Sequence, residues 1–563
     1  MKFSIIKFSF ILFLLFFSGI SAQNVSFIHD ADIYDGIEFS MPKVKTTNFP
    51  DYTVNILDFG AVNGGLVKNS DAFAKAINDV STKGGGKIVV PSGVWLTGPI
   101  TLKSNTNLHL EDGALILFSK DFDDYPLVKT RFEGLSTVRC MSPINANNVE
   151  NIAITGNGII YGNGDAWRPV KKGKMTASQW ETLINSGGVL SEDKKMWFPS
   201  ESSKKGYEST TNFNVPDLIS DSELESVKDF LRPVMVNIVN CKRVLLDGPT
   251  FQNSPAWNLH PLMSEDIIIR NVNVKNPWYA QNGDGLDLDS CKNVLIYNNS
   301  FDVGDDGICF KSGKDASGRK LGMPTQNVIV KNNVVFHAHG GFVIGSEMSG
   351  GVNNVHVSDC TFIGTDVGLR FKSTRGRGGV VENIYISNID MIHIPTEAIR
   401  FNMFYNGGAP ILEEGQEAYQ DKRDDKMVKV TEETPIFRNI FMKNIKVTTS
   451  EIAGFFMGLP EMNLKNVSLE NSSFETKKGF TAIDCDGLTL SNVNVIASDD
   501  YALNIYNCKN INVNDFGFDK SKQGIKVLGS KSKNIQFDKK DFSNVAEQLF
   551  LGKDLNKDAV KFQ

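Results

Sequence analysis

From about Val244 onward the chain repeats one short pattern, an asparagine followed by apolar residues that alternate with polar ones and end in a turn. Lys292-Asn293-Val294-Leu295-Ile296, Gln326-Asn327-Val328-Ile329-Val330, Asn353-Asn354-Val355-His356-Val357 and Glu382-Asn383-Ile384-Tyr385-Ile386 are four copies. The first apolar residues of successive copies, Val244, Ile267, Val294, Val328, Val355 and Ile384, lie 23, 27, 34, 27 and 29 residues apart. The series continues at Ile440, Val467, Leu488, Ile511 and Ile535. A period in the twenties, made of short strands and turn residues, predicts a solenoid with one coil per period. The strands are too short and too polar at alternate positions for a βαβ sheet, and no helical pattern separates them. The expected fold is all-β, a right-handed parallel β-helix whose equivalent positions stack about 4.8 Å apart.

The β-helix is expected to span residues 53–563, beginning near Thr53 after a lead-in segment over residues 23–52. Ser70 is placed to cap a short helix with Phe73, Ala76, Ile77 and Val80 on one face, ended by Gly84-Gly85-Gly86. Such a helix would cover the first coil, whose strand edges are otherwise unpaired. Two stretches interrupt the repeat: residues 164–230, rich in charge and serine, and residues 406–433, with Glu413-Glu414 and Asp424-Asp425. In a solenoid, insertions become loops on one face, often the binding face. Residues 1–22 carry Lys2 and Lys7, an apolar run from Ile11 to Phe17 and small residues near Ala22, the form of a cleavable signal peptide. A secreted or periplasmic location is therefore expected. No later run approaches membrane-span length, and no cysteine follows the expected cleavage point, so no membrane anchor is expected.

A formal net charge of −6 gives little general attraction for a polyanion. No nucleic-acid partner is expected, and an acidic ligand would need local cations, which Arg370, Lys372 and the loop Arg375-Gly376-Arg377 supply. Of seven cysteines, Cys241, Cys291 and Cys508 each precede a lysine just before a strand. That repetition favours an inward ladder of small apolar thiols over disulfides. No pair of Cys-x-x-Cys motifs is present, so neither a metal nor another cofactor is expected, and the chain is expected to act as a monomer.

Four polar motifs break the regular pattern: Asn282-Gly283-Asp284, Gly304-Asp305-Asp306-Gly307, Ala338-His339-Gly340 and Arg370-Phe371-Lys372. Asp284 to Asp305 is 21 residues, Asp306 to His339 is 33 and His339 to Arg370 is 31, so all four fit one face of adjacent coils. Arg370 and Lys372, two apart on a strand, point the same way. Asp305 and Asp306 are adjacent, so a bend or bulge between Gly304 and Gly307 is needed for both to face a cleft. Singly, each motif has a plainer explanation: an Asp pair between glycines makes a turn, and a lone His or a basic strand face is ordinary structure. Trp257 and His260 are equally suited to line the cleft or to pack at its edge. The ordered occurrence of all four motifs favours chemistry.

In that order and near that spacing, the motifs resemble the signature of glycoside hydrolase family 28, the polygalacturonases and their pectin-cleaving relatives. The family's Asn-Thr-Asp stands here as Asn282-Gly283-Asp284 and its Gly-His-Gly as Ala338-His339-Gly340. Gly283 removes a hydroxyl and loosens the backbone at the sugar subsite to which Asn282 belongs. The resemblance implies Asp305 as general acid, Asp284 and Asp306 holding the attacking water, and inversion across a carboxyl separation of about 6.5–9.5 Å. It also implies His339 beside the acid, Arg370 and Lys372 on a galacturonate carboxylate, and Tyr405 against a sugar ring. Crowded carboxylates can keep one proton among them, as an acid catalyst requires. The implied partner is an acidic polysaccharide, pectin or polygalacturonate, and the two insertions lean towards exo-cleavage. Rhamnogalacturonan or a substituted galacturonan stays open as the substrate. A β-elimination lyase would need a Ca²⁺ site and an Arg base, and a pectin-binding module would not need three clustered Asp residues.

Overall fold

Successive apolar positions in the repeat lie directly above one another. Val244 pairs with Ile267, Ile267 with Val294, Val294 with Val328, Val328 with Val355, and Val355 with Ile384, all parallel. The column continues through Ile440, Val467 and Leu488, and again from Ile511 to Ile535. The computed structural model describes residues 32–218, 220–405, 427–499, 501–520 and 524–563. The expected signal peptide, and residues 406–426 of the second insertion, lie outside them. The chain divides into two units, Met1–Gly36 and Ile37–Gln563. The described part of the first holds a 3₁₀ turn at Asp32–Tyr34. The second is the parallel β-helix.

Each coil contributes a strand to up to three columns. One holds Lys242–Asp247, Glu265–Arg270, Lys292–Tyr297 and Thr325–Lys331, and another holds Thr250–Gln252, Asn273–Lys275, Ser300–Asp302 and Val334–Phe336. A third holds Val236–Val239, Leu259–Leu262, Leu286–Asp289, Asp306–Lys311, Gly340–Ile344 and Leu369–Lys372. Alternate apolar side chains of every column fill the coil interior, which is one continuous core from Val54 to Leu549.

The asparagines that open the strands hold the corner between columns. Asn293, Asn327, Asn354, Asn383, Asn439 and Asn466 all adopt φ near +50 to +58°, a left-handed conformation that Asn tolerates better than most residues. Their amides stack, each Nδ2 donating to the Oδ1 one coil below at 2.8–3.4 Å. The cysteines are all free and buried. Cys241, Ser264, Cys291 and Thr325 occupy one inward corner, where each backbone N–H donates to the next residue's hydroxyl or sulfur. The ladder is thus of small side chains, not of cysteine alone.

Ser70–Thr82 forms the expected helix, burying Ala72, Phe73, Ala76, Ile77 and Val80. Ser70 is not its cap. Asn69 holds that position, and the Ser70 hydroxyl accepts instead from the Gly98 N–H. The first insertion carries more order than a bare loop. It contains helices at Ala177–Asn185 and Glu201–Glu208, a three-stranded antiparallel sheet and a two-stranded ribbon. A hairpin of Leu127–Phe132 and Leu135–Cys140, absent from the periodic pattern, leaves the coil upstream of it.

Candidate active site

The four motifs fall at the starts of strands in the third column, one coil apart. Backbone bonds fix their register: Asn258 N–H donates to Asp284 O at 3.0 Å, Gly285 N–H to Asp306 O at 2.9 Å, and His339 N–H to Asp305 O at 2.9 Å. The pairing of Asp306 with Gly340, and of Val343 with Arg370, extends the stack to the basic motif. Asp305 and Asp306 reach the same cleft through the expected bend at Gly304–Asp305, the bulge alternative being absent. Asp305 ends the turn and Asp306 begins the strand, so the change of direction is the corner itself. Gly304 allows that corner, because a Cβ there would come 2.6 Å from Pro277 O.

One oxygen from each of Asp284, Asp305 and Asp306 lies within 4.8 Å of the other two. That closest approach gathers the three carboxyls into one cluster, because Asp284 lies one strand spacing from the coil that carries Asp305 and Asp306. Arg370 and Lys372 stand over the cluster. Lys372 Nζ donates to Asp306 Oδ2 at 2.6 Å and the Arg370 guanidinium to Asp306 Oδ1 at 3.2 Å. The Tyr405 ring lies 5.2 Å from Lys372 Nζ and 5.9 Å from the Arg370 guanidinium carbon. His339 Nδ1 is 3.1 Å from Asp305 Oδ1.

These contacts separate the carboxyls by charge. Burial raises Asp284 well above the usual carboxylate range, and the charges of Asp305 and Asp287 add to it. Burial would raise Asp306 too, but Lys372, Arg370 and Lys311 outweigh it and hold that carboxyl ionised. Asp305 is also lowered, burial being overcome by the hydrogen bond and charge of His339. The imidazole is raised in turn: Asp305 and Asp306 outweigh its burial and the opposing charge of Lys174. Asp284 is therefore pushed towards its protonated form, and His339 and Asp305 lean towards an imidazolium–carboxylate pair.

Asn282 is held from behind. Its side-chain oxygen accepts from Arg232 at 3.0 Å and from Asn214 of the inserted segment at 3.4 Å. Gly283 is required by close approach rather than by looseness, since a Cβ there would sit 2.6 Å from Ala280 Cβ. Trp257 and His260 are both buried, edge to face with ring centroids 5.1 Å apart, and Trp257 lies 4.7 Å from Lys311 Nζ. The basic loop does not serve the cleft as expected. Arg375 pairs with Glu461 at 2.8 Å, and Arg377 pairs with Asp315.

Asp287, Lys311, Glu347 and Lys174 are not singled out by the sequence. Lys311 is buried between Asp287 at 3.3 Å and Glu347 at 3.2 Å. Burial pushes Asp287 up to about 8 despite Lys311, whereas Glu347 is brought down to about 2 because Lys311, Lys372 and Arg377 overcome its burial. The alternation Leu286-Asp287-Leu288-Asp289 was the available signal for Asp287, two apolar residues in and two acids out. Lys174, from the first insertion, reaches His339 Nε2 at 3.2 Å. The three converging aspartates could also offer oxygens to a cation, but Lys372 and Arg370 already neutralise one of them. A second group of carboxylates, Asp515, Asp538 and Asp541, lies far along the solenoid, with Lys540 paired to two of them.

An ionised carboxylate, a protonated carboxyl and a carboxyl–imidazole pair within one wall, beside two cations, can protonate a leaving oxygen and activate water next to a bound anion. Comparison with known proteins places the chain among glycoside hydrolases. A family model described as Glycosyl hydrolases family 28 matches residues 222–418. A relative named "Probable polygalacturonase" from Vitis vinifera is 26% identical over 472 residues, 81% of this chain and 81% of that protein. The exo-poly-alpha-D-galacturonosidase of Dickeya chrysanthemi is 29% identical over 370 residues, 64% of this chain and 58% of that protein. Among solved structures, a hyperthermoactive exopolygalacturonase from Thermotoga maritima superposes with a TM-score of 0.64 at 33% identity, covering 83% of this chain and 95% of that one.

Proposed function

The chain belongs to glycoside hydrolase family 28, and from that premise we propose that it hydrolyses the α-1,4-galacturonosyl linkages of polygalacturonate, acting from a chain end after export from the cell. The observation that carries this reading is the arrangement at Asp306, where a buried Lys372 and a partly buried Arg370 place two positive charges beside three carboxylates. A neutral sugar polymer gives no reason for cations there. A galacturonate carboxylate does, because an Arg–Lys pair can exchange part of its hold on Asp306 for the substrate.

Asp305 is the proposed acid, and Asp284 and Asp306 the pair that holds the water, with inversion at the anomeric carbon. A bound uronate adds a negative charge at Arg370 and Lys372, which raises the neighbouring carboxyls and moves a proton towards Asp305. Exo-action is supported by the inserted segment, whose Lys174 and Asn214 reach His339 and Asn282 and so narrow the cleft on that side. Two relatives carry exo-acting names.

The test is a digest of polygalacturonate followed in three ways at once. Reducing ends should accumulate with no ultraviolet absorbance from an unsaturated uronate, and early product should be one short acidic sugar. Proton NMR of fresh product should show the anomer opposite to that of the substrate linkage. Unsaturated product would mean a lyase, and retained configuration would assign one Asp as a nucleophile.

A further inference from the structure

The inserted segment touches the reacting cluster through one charged side chain. Lys174 ends a short 3₁₀ turn at Lys172–Lys174, and its Nζ lies 3.2 Å from His339 Nε2 while Nδ1 of the same ring lies 3.1 Å from Asp305 Oδ1. Lys174 is outside residues 222–418, which match the family model. An ammonium can only donate. For its contact to be a hydrogen bond, Nε2 must carry the lone pair and the ring proton must sit on Nδ1, facing Asp305. The imidazole is then neutral, Asp305 Oδ1 accepts from it, and the carboxyl's own proton is left to Oδ2.

The alternative state has the same number of protons and is inert as an acid. If His339 takes the Asp305 proton, Nε2–H points at an ammonium and Asp305 has nothing to give. Asp366 favours that state, with Oδ2 3.7 Å from Nε2. The other charged groups facing the ring are Asp306 and Arg370, whose guanidinium donates to His339 O at 3.3 Å. Lys174 and Asp366 thus compete for one nitrogen.

We propose that Lys174 is a positioning residue of the acid step: by donating to His339 Nε2 it opposes protonation of the imidazole and biases the shared proton back towards Asp305. The inference rests on the reading of Asp305 as the acid. In that step the Asp305 O–H bond breaks as its proton passes to the glycosidic oxygen, which keeps the electron pair of the broken C–O bond. Water adds to the anomeric carbon and loses its proton to ionised Asp306. Lys174 forms and breaks no covalent bond.

The test compares the full-length wild type, Lys174→Met and Lys174→Arg on polygalacturonate across pH. Lys174→Met should lose about 10- to 100-fold in kcat with KM nearly unchanged, the range for displaced supporting contacts. The alkaline limb of its kcat profile should move to higher pH, because the pair holds its proton more tightly once a neighbouring cation is gone. Lys174→Arg, which can also donate, should recover most of the rate and the wild-type limb. A raised KM with unchanged kcat would overturn the inference and make Lys174 a substrate contact, and an unshifted limb would make its role merely structural. Lys174→Met with wild-type kcat overturns this inference alone, whereas a wild type that leaves polygalacturonate uncut overturns the proposed function with it.

Discussion

Lys372→Met removes the charge that Asp306 depends on most while keeping most of the length of the side chain. Both groups are nearly inaccessible, at 8% and 2% side-chain exposure. At an effective dielectric of about 20, their 2.6 Å separation corresponds to about 6 kcal/mol of attraction before desolvation is counted. Removing one member of a buried pair costs about 3–5 kcal/mol, and Arg370, still 3.2 Å from Asp306, keeps the loss near the lower bound. About 3 kcal/mol of destabilisation is expected at pH 7. The sign of the pH dependence follows from Asp306, whose folded carboxyl lies below its unfolded value of about 3.9. That stabilisation is full above the unfolded value and disappears as pH falls through the folded one, so the deficit of the variant should narrow below about pH 4. Urea unfolding at a series of pH values measures it. The same variant should lose more rate on polygalacturonate than on its methyl ester, since only the former offers a carboxylate. A deficit that is constant with pH, or equal losses on the two substrates, would refute the reasoning.

Exo-action, as proposed, should release a single short product while the viscosity of the polymer falls slowly. Deletion of residues 406–433, the second insertion that the sequence also assigns to the binding face, should shift the products to mixed oligomers in a variant that still folds, and a fast viscosity drop with the intact enzyme would mean endo-action. In the asparagine ladder, Asn327 has φ +56° and bonds to Asn293 and Asn354. Asn327→Ala should cost about 2–3 kcal/mol from backbone strain and two lost bonds. Asn327→Gly should cost less, because it loses only the bonds, and equal costs would show that strain contributes nothing.

Much of the fold was legible because a solenoid writes its register into the spacing of its apolar residues. Val244, Ile267, Val294, Val328, Val355 and Ile384, which the repeat itself marks, are paired one with the next. The four polar motifs were legible for the converse reason, since Asp, His, Arg and Lys at coil corners have no place in the repeat. Asp287, Lys311 and Glu347 escaped notice because an outward polar residue on a regular strand is ordinary, and only stacking showed them to be buried together. Lys174 and Asn214 could not be found by periodicity, because the insertion that carries them is aperiodic. Arg375 and Arg377 looked available because their partners, Glu461 and Asp315, are distant in sequence.

The central claim is that Asp305 delivers the proton that splits a galacturonosyl bond. Its most direct test is the rate of reducing-end release from polygalacturonate by Asp305→Asn, with the unfolding midpoint of the same preparation measured alongside. A loss of about 10²–10⁴-fold or more is expected in a variant that unfolds as the wild type does. Near-normal turnover by the folded variant would contradict it.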